Sequence, residues 1–317
     1  MIVIPKAPIL LLIFNRPDLT AQVFARIRQL KPNQLYVAAD GYRKSCPGEE
    51  SICQQTREIT EQIDWDCEVV RLYREENLGC KLAVSRAITW FFEQVESGII
   101  LEDDCLPSLS FFQFCSELLE RYQDRNDMGV IAGTCHLSPA LELQESYYFS
   151  QYPHIWGWAT WRKVWDQYDD TLKDWSGLND DLKPYFDDKF VRRHWAKEFN
   201  AVKFGKLNTW DNQLLYLCTT SKKTSITPSI SLITNIGFDE RATHTVTHRG
   251  KHPLPVGDEI KFPLCHPKTV EINRILDRID EIESWGIPRN EFEDISKKIY
   301  LFIRIIGGKI LRFLKLK

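Results

Sequence analysis

Three carboxylates stand side by side where the run "GIILEDDCLPS" reaches Glu102, Asp103 and Asp104. Adjacent acids repel, and the repulsion raises at least one pKa unless a cation relieves it. Hard oxygen donors of this kind suit a divalent cation such as Mn2+ or Mg2+. A solvated loop or a helix cap would use the same residues, but two features favour a ligand site. Ser110 and Gln113 have the S-x-x-Q spacing of a capping box for the next helix, so the acids are not needed as caps. The preceding "IIL" has the character of a buried central strand, which brings the acids to the sheet edge where α/β proteins bind ligands. Strand alternation is expected to point Glu102 and Asp104 one way and Asp103 the other.

Two further strands end in polar groups of complementary use. The first delivers Asn15 and Arg16, the second Asp40 and Gly41. Arg16 offers a planar cation to a base or a phosphate, and Asp40 an acceptor to a nucleobase imide or a ribose hydroxyl. Taken singly, Arg16 also reads as a loop salt bridge and Asp40 as a turn residue before Gly41. Together with the acids they make three polar strand ends on one edge.

The elements that must position these residues show in the first 135 positions, where β-rich runs alternate with helical patterns. Strands are expected at 9–14, 35–39, 67–73, 98–102 and 128–132. Leu19, Val23, Ile27 and Leu30 share one helical face behind an Asp18 cap, and further helices fit 51–63, 81–95 and 110–122. Repeating βα units predict an α/β fold, a mainly parallel sheet with helices on both faces. Beyond about residue 135 the chain turns aromatic and irregular, which predicts an acceptor-side subdomain packed on the same sheet. The division expected is 1–135 for the nucleotide-binding half, 136–267 for the acceptor and catalytic half, and 268–317 for C-terminal helices, at about 268–284 and 290–317.

Composition removes several classes. The 317 residues carry a formal charge of −3, but residues 296–317 hold seven Lys or Arg and no acid, leaving 34 basic against 44 acidic residues elsewhere. A body this acidic lacks the basic face that nucleic acid requires. The nine cysteines are scattered without a CxxC pair, as expected of reduced thiols. The apolar start is broken by Pro5 and Pro8 and reads as a strand rather than a signal peptide, so cytoplasmic residence is expected. The chain has no GxGxxG after its first strand, no GxxxxGK[ST] and no GxSxG.

The segments "PILLLIFNRP", "VAADG", "ENLGCKLAVSRAITWFF" and "GIILEDDCLPSLSFFQF" together resemble glycosyltransferases of the GT-A fold, specifically the N-acetylglucosaminyltransferase I family and bacterial family 2-like relatives. The resemblance spans roughly residues 8–245 and is stronger in its first half. It implies that Arg16 and Asp40 contact the uridine, that Glu102 and Asp103 touch the ribose and the metal, and that Asp104 ligates the metal. Later segments match in order: Gly157-Trp158, then Trp210-Asp211, then "TPSIS" and "NIGFDERATHT". Asp211 falls at the position of the family's catalytic base, although the family often has two aspartates there and this chain has "WDNQ". Asp174 and Asp239 are the reserves. GT-A enzymes also recruit a late histidine to the metal or diphosphate, for which His244 is the candidate. His248 and His252 follow at the same spacing, in sequence too rich in Thr, Gly and Pro for a helix. Trp161 and Trp165, four apart, read as core, whereas Trp156 or Trp158 could stack on a sugar face.

The resemblance implies an inverting, metal-dependent transfer of a hexose or N-acetylhexosamine from a nucleotide-diphosphate sugar, UDP-linked by expectation, to a glycan or lipid-linked acceptor. In "SKKIYLFIRIIGGKILRFLKLK", Ile299, Phe302, Ile303, Ile306, Ile310, Phe313 and Leu314 share a helical face opposite Lys297, Arg304, Arg312 and Lys315. A basic amphipathic helix of this kind suits an anionic membrane surface, with packing on the protein body as the alternative. Two rival functions stand beside the transferase. One is a sugar-1-phosphate nucleotidyltransferase, which should carry a glycine-rich loop where this chain has "FNRPDLT". The other is a non-catalytic glycan-binding protein of the same fold.

Overall fold

A computed structural model describes residues 6–137, 141, 143–238 and 256–294. His244, His248, His252, Asp239 and the basic tail at 296–317 lie outside the described residues. Elements run in chain order β1 (Ile9–Ile13), α1 (Pro17–Leu30), β2 (Gln34–Ala39), α2 (Glu49–Ile59), β3 (Glu68–Tyr73), α3 (Gly79–Phe92), β4 (Ser97–Glu102), β5 (Cys105–Pro107), α4 (Leu109–Arg121) and β6 (Met128–Ala132). The second half adds β7 (Tyr147–Ser150), β8 (Trp158–Trp161), α5 (Arg162–Trp165), α6 (Lys189–Lys203), α7 (Asp211–Thr220), β9 (Thr224–Pro228), β10 (Ile233–Asn235) and α8 (Arg274–Glu283). Eight strands form one sheet in the order β3-β2-β1-β4-β8-β6-β9-β7. The first four run parallel, and β8 enters antiparallel between β4 and β6. β6 and β9 are parallel again, with β7 antiparallel at the edge. The protein is thus of the expected α/β class.

Every residue of β1 is buried, as are four of the six in β4. A strand with no polar face must be covered on both sides, and this is why its sequence is a run of aliphatics rather than an alternation. Each such side chain contributes about 1.5–3 kcal/mol on burial. On α1, Val23, Phe24, Ile27 and Leu30 face this core. A second core gathers Tyr152, Trp175, Trp195 and Phe199 around α6. All nine cysteines are unpaired, and five are buried.

Two expected caps are not formed. Arg16, not Asp18, occupies the N-cap of α1, and no side chain caps it. Pro17 takes the first helical position, needs no acceptor there and moves Asp18 into the first turn, where its charge favours the helix dipole. In α4 the start is Leu109, so Ser110 cannot be the cap. Its first amides instead donate to a distant side chain, Leu109 N to Glu259 Oε1 at 2.9 Å and Ser110 N to Glu259 Oε2 at 2.8 Å. The helix expected over 268–284 is shorter. It begins at Arg274 because Asn273 accepts from Leu276 N, while Ile272 forms a bridge to Phe149.

Candidate active site

Strand order reverses between β1 and β4. The chain moves outward from β1 through β2 to β3, then returns to add β4 on the other side of β1. Helices leave such a point in opposite directions and open a crevice at the carboxyl ends of the strands. Leu12 pairs with Glu102, and Ile13 with Ala39, so the residues that follow these strands emerge together. A cleft of about 320 Å³ opens there, with Arg16, Asp40, Glu102 and Asp103 in its wall.

The acids do not alternate as a strand would make them. β4 stops at Glu102, and Asp103 and Asp104 form the turn into β5. Both therefore face the same guanidinium: Arg16 Nη1 donates to Asp104 Oδ2 at 3.0 Å, and Nη2 pairs with Asp103 Oδ1. Burial would lower the Arg16 pKa, but the two carboxylates outweigh it and hold the charge firmly on. One arginine cannot compensate three acids. Burial, then the charges of Asp104 and Asp103 and, more weakly, Asp211, push Glu102 up to about 8. Asp103 rises to about 6, through burial opposed by Arg16. Its Oδ2 is buried without a hydrogen-bond partner.

Asp40 lies in the cleft wall but is already engaged. Its carboxylate accepts from Leu78 N and Gly79 N at the start of α3, and from Asn77 Nδ2 at 3.0 Å. These bonds favour the charged form, yet burial outweighs them and its pKa is raised. Gly41 makes the arrangement fit, since a β-carbon there would lie 2.4 Å from the Glu76 carbonyl carbon. Asn77 Nδ2 also donates to Gly41 O at 2.8 Å. With both amide hydrogens used, the Asn77 oxygen is left as an acceptor in the cleft wall.

Asp211 opens α7, where its Oδ1 accepts from Thr209 Oγ1 and from Asn212 N at 2.9 Å. It comes within electrostatic reach of the acids 107 residues or more before it. Cys80 in the cleft wall is pushed up to about 12 by burial, then by Glu102, Asp211 and Asp104. Asn208, three residues before Asp211, also lines the cleft and approaches Gly79. The reserve Asp174 is exposed and influences Tyr216 beside the second core. Of the two tryptophans considered for a sugar face, Trp158 is fully buried and stacks on Trp210 at 5.7 Å, so it is core; Trp156 keeps part of its surface open.

Arg43, Arg74, Asn77, Cys80 and Asn208 line the cleft and were not singled out from sequence. Arg74 was within reach of the same rule that found the others, since it directly follows β3. Arg43 is held by Glu49, which also accepts from Asn15 at 2.9 Å. Among the described residues no group of three or more His, Cys, Asp and Glu side chains is arranged as a metal cage. The excess of carboxylate over cation, with the orphaned Asp103 Oδ2, suits a partly hydrated Mg2+ or Mn2+ held by one or two acids rather than an all-protein cage.

The fold and site thus define an α/β protein with an acid-rich cleft at its topological switch point. No family model matches the chain, and no curated protein matches it. Among solved structures it is similar to HddC from Yersinia pseudotuberculosis, at 10% identity over 51% of this chain and 80% of that one, TM-score 0.31. It is similar to the inositol-1-phosphate CTP transferase from T. maritima, at 9% identity over 54% and 76%, TM-score 0.32. An apo UDP-glucose pyrophosphorylase shares 12% identity over 69% and 90%, TM-score 0.31. At such identities and TM-scores these likenesses carry no argument about what this chain does.

Proposed function

We propose that the chain is a metal-dependent inverting glycosyltransferase that moves a hexose or N-acetylhexosamine from a UDP-sugar to a hydroxyl of a glycan or lipid-linked acceptor. The observation that carries the reading is that the segment before α7 reaches the cleft, with Asn208 in its wall beside Gly79, which brings Asp211 within electrostatic range of the acid cluster that ends β4. Residues 1–135 would form the donor half and 136–267 the acceptor and catalytic half.

In this reading Asp104, with Asp103 beside it, would hold Mn2+ or Mg2+, which when bound would supply positive charge to the departing diphosphate. Arg16 adds a fixed cation at the same acids. Asp211 takes the proton of the acceptor hydroxyl as it attacks the anomeric carbon from the side opposite the diphosphate. The C–O bond to the new sugar forms as the bond to the nucleotide breaks, and configuration inverts. Asp40 acts first as an organiser, holding Asn77 and the start of α3, so the free acceptor for a uracil imide is the Asn77 oxygen as much as Asp40 itself.

Calorimetric titration of UDP, UDP-glucose and UDP-N-acetylglucosamine with and without Mn2+ tests the reading, followed by product analysis. Metal-dependent binding and release of UDP support it. Pyrophosphate released from UTP and glucose 1-phosphate would make the chain a nucleotidyltransferase instead. Absence of nucleotide binding at every Mn2+ concentration would favour a glycan-binding protein.

A further inference from the structure

Three rings from three separate segments meet beside the acid cluster, outside the cleft wall. β8 runs antiparallel to β4, with Ser97 opposite Trp161 and Ile100 opposite Trp158. The ladder ends there, because Gly157, at φ 59°, leaves the extended conformation, and Trp156 precedes that turn. On the other side of β8, Gly133 N donates to Gly157 O at 2.7 Å. Three residues later the His136 ring lies 5.3 Å from the Trp156 indole. The third ring arrives after β10. Ile236 N donates to the Asp104 carbonyl at 2.8 Å. Gly237 passes so close that a β-carbon would lie 2.3 Å from Asp104 Oδ2. The next residue, Phe238, meets Trp156 edge-on at 5.7 Å and 81°.

This group differs from the tryptophans of β8 and α5 and from Trp210. Trp158, Trp161, Trp165 and Trp210 are all at most 4% exposed and pack into the main core. Trp156, Phe238 and His136 each keep part of their surface open. They are also held in place from behind. His136 lies 4.7 Å from the His154 ring, and His154 Nε2 is fixed by Asp280 Oδ2 at 2.8 Å.

A partly open indole next to under-compensated carboxylates has the chemistry of a pyranose site. One face of the sugar ring is a patch of C–H groups that packs on an aromatic surface. Its rim is hydroxyl donors, which carboxylates accept strongly. None of the three rings lines the cleft assigned to the nucleotide. We propose that Trp156, braced by Phe238 and His136, is the platform for the acceptor sugar, taking the apolar face of a pyranose whose hydroxyl rim turns to the acids. The acceptor role rests on the glycosyltransferase reading; the sugar-binding role does not.

The test is saturation-transfer NMR on the full chain with UDP and Mn2+, using methyl β-D-galactopyranoside and methyl β-D-glucopyranoside as probes and sorbitol as the open-chain control. Saturation should reach the C–H protons of one ring face of at least one glycoside and not sorbitol. Trp156→Leu should cut it about fivefold, in line with an aromatic contact of ordinary strength, and Trp156→Phe should retain most of it. UDP affinity, titrated on the same samples, should not change. If Trp156→Leu does not fold, Phe238→Ala carries the same expectation at a position 'half-open' to solvent. Equal transfer in wild type and variant, or none to either glycoside while UDP binds, overturns the platform and leaves the donor reading intact. Trp156-dependent transfer in a protein that does not bind UDP keeps the sugar site and removes the transferase.

Discussion

The molecule holds one fully buried and one partly buried acidic cluster, and they are compensated in opposite ways. On α8, Asp277, Asp280 and Glu281 are each at most 5% exposed. Asp277 accepts from Ser150 Oγ at 2.6 Å and Gln151 N at 3.1 Å, Asp280 from His154 and Ser284, and Glu281 from Tyr152 and Arg278. Burial still pushes Asp277 up to about 7, while His154 leads the groups that hold Asp280 below its ordinary value against the opposing effect of burial. At the end of β4 three acids share one arginine, one oxygen has no partner, and Glu102 rises to about 8. Polar groups paired at every acid hold an element in place, as α8 is held on β7. Groups left short of positive charge are costly to the fold and have a use only when something cationic or hydroxylated arrives.

The largest effect should come from unpairing the satisfied cluster. His154→Ala leaves Asp280 buried with its main partner gone and should cost about 3–5 kcal/mol, read from urea denaturation. Stability unchanged within error would mean that α8 is not held by these bonds. Asp211→Asn, on the active side, should lower turnover roughly a hundredfold or more while UDP affinity stays at the wild-type value, because the amide keeps the shape but cannot take a proton. Near-wild-type turnover would leave Asp211 a structural residue of α7. Asp104→Ala should weaken Mn2+-dependent UDP binding by about 10- to 100-fold, at least as much as losing a supporting contact costs a metal site, with little change in the urea midpoint. A variant that unfolds would show instead that this cluster is structural like the other.

The smallest effect sharpens the electrostatic contrast. Glu102 has a folded pKa of about 8 against an ordinary 4.5, so the folded state binds the extra proton between those values. Its contribution to stability is therefore most favourable below about pH 4.5, falls as pH rises and levels off above about pH 8. Glu102→Gln removes that penalty. The variant should gain on the order of 1 kcal/mol over wild type at pH 8.5, a figure discounted for solvent in the cleft, and no such gain at pH 4. An equal difference at both pH values would show that Glu102 is not the strained acid.

Much of the first half was legible because its signals are local. The strand expected over 128–132 is β6 residue for residue, and the other four differ by one residue at an end. Periodicity reports burial, and burial on both faces is what a central parallel strand requires. The ends of those strands showed Arg16, Asp40 and the acids as neighbours by the same logic. Arg74, at the end of β3, obeyed the rule unnoticed. The caps of α1 and α4 were misread because a serine or aspartate near a helix start is only a local offer. Pro17 displaced one, and Glu259, about 150 residues away, displaced the other.

From sequence alone this protein is an α/β chain with an acid cluster at a strand end, an arginine and an aspartate on neighbouring strands, and an aromatic second half. Those follow from residue type and period, which depend on the nearest few neighbours. Only the tertiary structure decided that Asp103 and Asp104 face the same arginine, since the turn after β4 cancels the alternation of the strand. It likewise decided that Asp40 is spent on the start of α3, that Asp211 lies within electrostatic range of the acids, and that Trp156 is partly open where Trp158 is core. Each of these depends on contacts between segments far apart in the chain, where no local pattern specifies which donor meets which acceptor.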